Sequence, residues 1–513
     1  MSSWTSGYVA DLVYTHGFYR ELTPALLSFV ALSRGQHGPE ASSPLQYCEL
    51  GCGQGVSMNL LAAANPQISF HATDFNPSQI AGARALAAEA DLSNVTFYDT
   101  SFADFEDESG LPEQFDIIAL HGIYSWINAD LRADIVNFIS RKLKVGGLVY
   151  ISYNCLPGWS TAAPMRHLMY LHGKAQGGPT GPRLQPALDF VDAIQKSGAA
   201  YFRSVTGLAE GFEALKGKNR NNLAHEYFND AWDLFYYSDV VRDLDAAKLT
   251  FVGSAAVLEQ LDALNLTHEQ QQIMAGITDP VLRETVQDYM TNQRFRRDVF
   301  IKGPVALTPR GAKETWLNRR FALSVRRSDI EMKVKGALGD VELQADVYGP
   351  VLDKLADGPK TVREMFAEPV LANLGWARLQ QALVVLVGAG HLQPCLPSKD
   401  DAKRSKGTNA FNHAVMQRAQ DSADLQYLAS PVTGGGLVVG RFQQLFLLAL
   451  SHGKKQPDDW ADFVWTVLST QGQQIFKEGK TLDGAEENLA ELKAQAATFA
   501  EKELPLLKSL KII

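Results

Sequence analysis

The chain has 513 residues, enough for about three domains at ~150 residues each, and its 46% apolar content lets each bury a core. Its 48 Lys and Arg against 57 Asp and Glu leave a net charge of −9, which argues against a dedicated nucleic-acid binder with a basic face. Four cysteines (Cys48, Cys52, Cys155, Cys395) form neither a disulfide framework nor a zinc spacing, so no metal is implied. The polar N-terminus and the lack of an apolar run of about 18 residues predict a cytoplasmic protein without membrane insertion.

In chain order, Tyr14-Thr15-His16-Gly17 precedes a predicted helix over Pro24 to Leu32 that stops near Gly35. Such a leader either lies across a ligand pocket or simply packs on the body. From Leu45 to Asn154 strands and helices alternate. A first strand ends at Glu49, the loop Gly51-Cys52-Gly53-Gln54-Gly55 follows, and a helix carrying Met58, Leu60 and Leu61 ends at Asn65-Pro66. A second strand, Ile68 to Thr73, delivers Asp74. Asn76-Pro77 then pairs an N-cap with a proline at the first helical position. The third strand, Val95 to Tyr98, leads to Ser101-Phe102, and the fourth, Phe115 to Leu120, to His121-Gly122-Ile123-Tyr124-Ser125-Trp126. The fifth runs from Leu148 to Tyr153. Short connections between such units predict a doubly wound parallel sheet, whose ligands sit beyond the carboxyl ends of the strands.

The glycine loop reads G-x-G-x-G. A dinucleotide fingerprint would need glycine where Val56 stands, and no P-loop lysine follows. An acid before the glycines and Asp74 about 20 residues beyond them favour an S-adenosylmethionine (SAM) site of the class I methyltransferase type. Glu49 can orient the amino-acid part of SAM, directly or through water. Gly51, Gly53 and Gly55 let backbone amides approach it, and Asp74 can accept both ribose hydroxyls. Ser101 and Phe102 stand where a strand end delivers contacts to an adenine. The acceptor side is less defined. No Asn-Pro-Pro-Tyr or Asp-Pro-Pro-Tyr follows the fourth strand, which lowers amide or adenine-N6 methylation. A lysine acceptor at pH 7 must lose a proton at a cost of about 4.6 kcal/mol from its usual pKa of ~10.4. An aromatic, partly desolvated channel eases that loss, and Tyr14, Tyr124, Trp126, Tyr153 and Trp159 are candidates for one. His16 and His121 are candidate bases.

Beyond residue 160 the pattern is mostly helical, with strand-like pieces at Leu249 to Gly253 and Phe295 to Ile301 that could extend the sheet as an antiparallel pair. Residues 345–395 show a winged-helix-like order: a helix before Asp357-Gly358-Pro359, a second opening with the capping box Thr361 to Glu364, a third over Trp376 to Val387 and a short strand after it. That third helix offers only Arg378 as a cation, poor for phosphate contact. Lys399 to Lys406 reads as a charged linker. Basic runs at Arg294 to Arg297 and Arg326-Arg327 are more often solvated faces or internal ion pairs than nucleic-acid contacts.

Taken together, Tyr-Thr-His in the leader, Glu-Leu-Gly-Cys-Gly-Gln-Gly at residues 49–55, Ser101-Phe102, His121 to Ile127, Tyr153-Asn154-Cys155-Leu156-Pro157-Gly158-Trp159 and Leu223 to Asn229 resemble bacterial methyltransferases carrying a methyltransferase regulatory domain. That group includes the rickettsial protein-lysine methyltransferases. The resemblance implies an α/β class I (Rossmann-like) core over 1–160, a helical regulatory middle domain over 161–305 and a C-terminal domain over 306–513 containing the winged-helix-like unit. It implies SAM as cofactor, held by Glu49, Gly51, Gly53, Gly55, Asp74, Phe75, Ser101, Phe102 and His121. The catalytic candidates are Tyr14, His16, His121, Tyr124, Trp126 and Tyr153, with a protein lysine as acceptor. Gly17 stands where the family often has proline. Methylation of a small molecule or envelope precursor, and a non-catalytic binding module, are the alternatives; a homodimer is left open.

Overall fold

The computed structural model describes residues 8–9, 11–12 and 16–513. Tyr14 and Thr15 lie outside the described residues. Strands β1 (Leu45–Leu50), β2 (Ile68–Thr73), β3 (Val95–Tyr98), β4 (Phe115–Leu120) and β5 (Leu143–Asn154) pair in parallel; β6 (Leu249–Ser254) and β7 (Phe295–Lys302) extend the sheet in the order β3-β2-β1-β4-β5-β7-β6. β7 runs antiparallel to both β5 and β6, so the two strand-like pieces beyond the core do complete its sheet. The inner strands are buried along nearly their whole length, as expected for a sheet covered on both faces.

Helix α1 (Pro24–Ser33) is apolar all round and buried from Pro24 to Leu32, so it packs on every side. Phe29 meets Trp316 and Phe321 edge-on at ring-centroid distances of 5.6 and 5.7 Å, wedging the leader helix between the sheet and the C-terminal part. Helix α2 (Val56–Ala64) follows the glycine loop and is likewise fully buried. The segment Ala163 to Tyr227 forms a helical cap with its own apolar core, which includes Met169, Val191 and Phe212 and takes in Val9 from the leader. The expected middle region is thus built in two pieces: this cap, and the part from about residue 235 that supplies β6 and β7 to the central sheet.

In the C-terminal part a three-stranded sheet (Lys360–Thr361, Arg320–Leu323, Leu392–Cys395) carries helices including Ala345–Ala356 and Trp376–Gly388. Its apolar core is continuous with that of the methyltransferase-like sheet, since Leu60 and Phe70 belong to the same cluster as Leu383, Phe411 and Leu448.

The charged stretch Lys399 to Lys406 is not a linker. Asp401 opens an 18-residue helix, Asp401–Arg418, that lies against α2. A Cβ on Gly407 would stand 2.7 Å from the Ala63 carbonyl oxygen, so glycine permits the close crossing. Arg404 and Asp401, both 2% exposed, pair at 2.6 Å, and the guanidinium also donates to the carbonyls of Pro431 and Pro397 at 2.7 Å each. These charges are internal, which a composition-based reading of a polar run misses. Arg404→Ala should lower the stability of the chain by about 3 kcal/mol, the lower end for breaking a buried pair, because Arg320 and Lys511 still reach Asp401. Chemical denaturation checks this.

Among the described residues no helix is long and apolar enough to cross a membrane, and no group of three or more His, Cys, Asp or Glu side chains could hold a metal ion.

Candidate functional site

A cavity opens at the carboxyl ends of β1, β2, β3 and β4, where an open α/β sheet presents its ligand site. The loop between β1 and α2 forms its floor. Gly51, Gly53 and Gly55 all have left-handed backbones, with φ of 76°, 53° and 64°. Two of them are also sterically closed to side chains. A Cβ on Gly51 would lie 2.6 Å from Ile123, and one on Gly55 would lie 2.5 Å from Ala83 and 2.7 Å from Phe97. Gly53 has open space above it apart from Gln79 at 3.7 Å. The loop therefore brings bare backbone to the cavity, and α2 begins directly behind it with its amides directed at the loop.

Asp74, at the end of β2, is fixed by backbone amides: Gly53 N donates to Oδ2 and Asn76 N to Oδ1, each at 2.9 Å. Burial raises its pKa to about 6, against the pull of those two amides. Glu49 is 3% exposed, and its Oε2 has no hydrogen-bond partner. Burial, then the charge of Asp74, raises its pKa to about 8. The indole N–H of Trp126 is also buried without a partner. An orphaned acceptor and an orphaned donor thus line one cavity, and both would be costly if no ligand satisfied them.

His121 follows β4. Its Nδ1 lies 2.9 Å from the Tyr150 hydroxyl and its ring stacks on Tyr19 at a centroid distance of 3.8 Å. Burial lowers its pKa to about 4, so the imidazole is uncharged at neutral pH. Next to it, Gly122 N donates to Ser152 Oγ at 2.8 Å, tying the β4 loop to β5.

All nine residues expected to hold a cofactor (Glu49, Gly51, Gly53, Gly55, Asp74, Phe75, Ser101, Phe102 and His121) line this cavity, and so does Trp126. Other catalytic candidates do not. Tyr124 and Tyr153 are fully buried away from it, with hydroxyls donating to Asp243 at 3.1 Å and Asp298 at 2.6 Å. Both are packing aromatics whose hydroxyls are tied to carboxylates, a part-exposed one for Tyr124 and a buried one for Tyr153, and neither ring lines the cavity. Trp159 is buried against Tyr227 and Trp232, with Arg294 over its ring at 3.8 Å. His16 does not line the cavity; it sits within electrostatic reach of Asp424 and Arg418, and burial lowers its pKa. In their place the cavity takes Tyr8 and Tyr19 from the leader, and Gln54, Gln79, Thr100 and Ile123 from the core. No spacing rule links Tyr8 or Tyr19 to the glycine loop, so no sequence signal marks them.

The basic run on β7 is consumed inside the fold. Arg296 pairs with Asp298, Asp288 and Glu284 at 2.9, 2.6 and 3.0 Å, and Arg297 with Glu21 and Glu259 at 3.0 and 3.1 Å. Arg326 and Arg327 pair with Asp329 and Asp353.

A seven-stranded sheet of this topology, with a bare-backbone loop, an acid before it and an amide-braced acid after the second strand, defines a class I SAM-dependent methyltransferase. The donor set fits that cofactor: an unsatisfied carboxylate oxygen and an unsatisfied indole N–H for its polar end, and Asp74 for a diol. Comparison with known proteins agrees. Residues 41–177 match the family described as "Methyltransferase domain", and residues 219–302 that described as "Predicted methyltransferase regulatory domain". The chain is 44% identical over 510 residues to an uncharacterized protein of Synechocystis sp., covering 99% of this chain and 100% of that one. An uncharacterized protein of Rickettsia prowazekii is 27% identical over 284 residues, covering 54% of this chain and 49% of its own length. Among solved structures, PKMT2 from Rickettsia typhi in complex with AdoHcy shares the fold, with a TM-score of 0.69 and 17% identity over 96% of this chain and 99% of that one. The chain belongs to the SAM-dependent methyltransferases that carry a methyltransferase regulatory domain.

Proposed function

We propose that this methyltransferase acts on lysine side chains of a protein, and that the cavity at the carboxyl ends of β1 to β4 is its donor site. One observation carries the reading. Among the described residues lining the cavity are the rings of Tyr8, Tyr19, Phe75, Phe102, His121 and Trp126 and the carboxyls of Glu49 and Asp74, with no lysine or arginine. Such a wall suits a cation and disfavours a phosphorylated or carboxylated acceptor.

When bound, SAM supplies a methyl activated by its sulfonium: the sulfur–methyl bond breaks as the nitrogen–methyl bond forms, and sulfur leaves as a neutral thioether. Everything else falls to the protein. Glu49 and Asp74 hold the donor's polar groups, so that the reaction becomes a positioned displacement. Rings and burial at the mouth weaken the hydration of an incoming ammonium and ease the loss of its proton, while remaining compatible with a methylated, cationic product. His121 adds no positive charge to the cavity wall, because burial keeps its imidazole neutral. Its likeness in fold to PKMT2 of Rickettsia typhi supports the same reading.

The enzyme with methyl-labelled SAM and a lysate of the source cells should label acid-precipitable protein, and mass spectrometry should place the label on lysine. Label confined to low-mass material would overturn the protein reading and leave the donor site standing.

A further inference from the structure

The described residues of the leader are anchored in two places, and the anchorages differ. On the core side, Ser57 of α2 accepts the Tyr19 amide at 3.2 Å and donates to the Gly17 carbonyl at 3.3 Å. On the cap side, the Val9 amide donates to Asn229 Oδ1 at 2.8 Å, and Asp11 accepts the amide of Thr180, which opens the helix Thr180–Lys196, at 2.7 Å. Val9 is buried in the apolar core of the cap, whereas Tyr8 lines the donor cavity. One of two adjacent residues thus reaches the cavity and the other the cap core, so Tyr8-Val9 joins the two.

Tyr8 meets Phe75, the residue after Asp74, edge-to-face at a centroid distance of 5.7 Å, and lies tilted against His225 at 5.8 Å. Burial and the nearby charges of Asp74 and Glu226 push its phenol well above its ordinary range, so it stays protonated and can donate a hydrogen bond. Asn229 is itself built in: it is 0% exposed, its amide donates to the His225 carbonyl at 2.6 Å, and its own carbonyl accepts from Arg166 at 2.6 Å. Its side-chain oxygen is thereby aimed at the strap. Asn229 lies within the 219–302 regulatory match, far in sequence from any donor-site motif.

We infer that Tyr8 is a cofactor-contact residue and that Asn229 is its positioning residue: by holding the Val9 amide, Asn229 keeps the strap against the donor cavity, so the regulatory segment sets how long the cofactor stays bound. This rests on the cavity's being the donor site. Glu49 and Asp74 would hold the cofactor from the strand ends, and Tyr8 lines the same cavity, packed on Phe75 beside Asp74. Losing the strap's anchor should act on cofactor release more than on the methyl-transfer step.

The test is the rate of AdoHcy dissociation from the full chain by stopped flow, with the KM for SAM and kcat beside it. Asn229→Ala should speed release about tenfold, the worth of one buried hydrogen bond, and raise KM while kcat changes little. Tyr8→Ala should likewise speed AdoHcy release and raise KM with Asn229 intact. Asn229→Asp, which keeps an acceptor for Val9 beside Arg166, should restore release to within about twofold of the wild type. Should Asn229→Ala fail to fold, Val9→Pro removes the same N–H from the strap side and leaves the cap's polar contacts in place. Unchanged release in Tyr8→Ala, or in both Asn229→Ala and Val9→Pro, overturns the inference. An Asp74→Ala variant that binds AdoHcy like the wild type would overturn the donor-site reading first, and the inference with it.

Discussion

Asp74→Ala is expected to weaken AdoHcy binding at least about 100-fold by calorimetry, because two hydrogen bonds to a charged acceptor are worth roughly 1.5–3 kcal/mol each. The carboxylate acts twice. Its oxygens brace the backbone of Gly53 and Asn76, and the same side chain lines the cavity. Asp74→Asn keeps one acceptor oxygen and should fall between wild type and alanine. Binding by Asp74→Ala within about threefold of the wild type would remove Asp74 from the donor site.

Glu49→Gln is expected to produce the other large effect, visible in pH dependence. In the free protein Glu49 holds its proton up to about pH 8, so at pH 7 it is mostly neutral. A cation at the cavity's polar end requires the carboxylate. Binding should therefore release a proton and tighten up to about tenfold per pH unit as pH rises toward 8, with a smaller contribution from Asp74 near pH 6. Calorimetry in buffers of different ionisation enthalpy detects that proton. Glu49→Gln should abolish most of the pH dependence and weaken binding at pH 8. The sign for stability is opposite. A carboxyl whose folded pKa lies above its unfolded value stabilises the fold fully below the unfolded pKa of about 4.5, and that contribution is lost as pH rises through 8. Ligand-free Glu49→Gln should thus melt higher than the wild type at pH 8.5 while binding worse. A pH-independent affinity in the wild type would show that Glu49 does not meet the ligand's charge.

How far the site could be read depended on distance along the chain. The strands, the turn at Gly51 to Gly55 and the cap at Asn76 are local, and the residues that need them stand next to one another. The aromatic wall is not local. Tyr124 and Tyr153 sit within or beside the strongest sequence motifs, yet their hydroxyls bond Asp243 and Asp298 and their rings do not line the cavity. Tyr8 and Tyr19 line the cavity instead, from the leader that the sequence marks only as a segment able to lie across a pocket or pack on the body. Alternation along a strand or a loop places a ring on one side or the other, but only the packed partner says which side is the cavity.

Charge told the same story. On paper Arg294 to Arg297 allows either a solvated face or internal ion pairs, and Lys399 to Lys406 reads as a charged linker. In the folded chain Arg296 and Arg404 are among its buried groups, each satisfied by carboxylates or carbonyls distant in sequence or a few residues away. By itself the sequence determined the donor chemistry, because left-handed glycines, a strand-end acid and an amide-braced acid are demands of the backbone within about 25 residues. Only the tertiary structure decided which rings line the cavity, where the buried charges go and that Asn229 of the regulatory segment holds the Val9 amide beside Tyr8, because burial is settled by residues that meet across hundreds of positions.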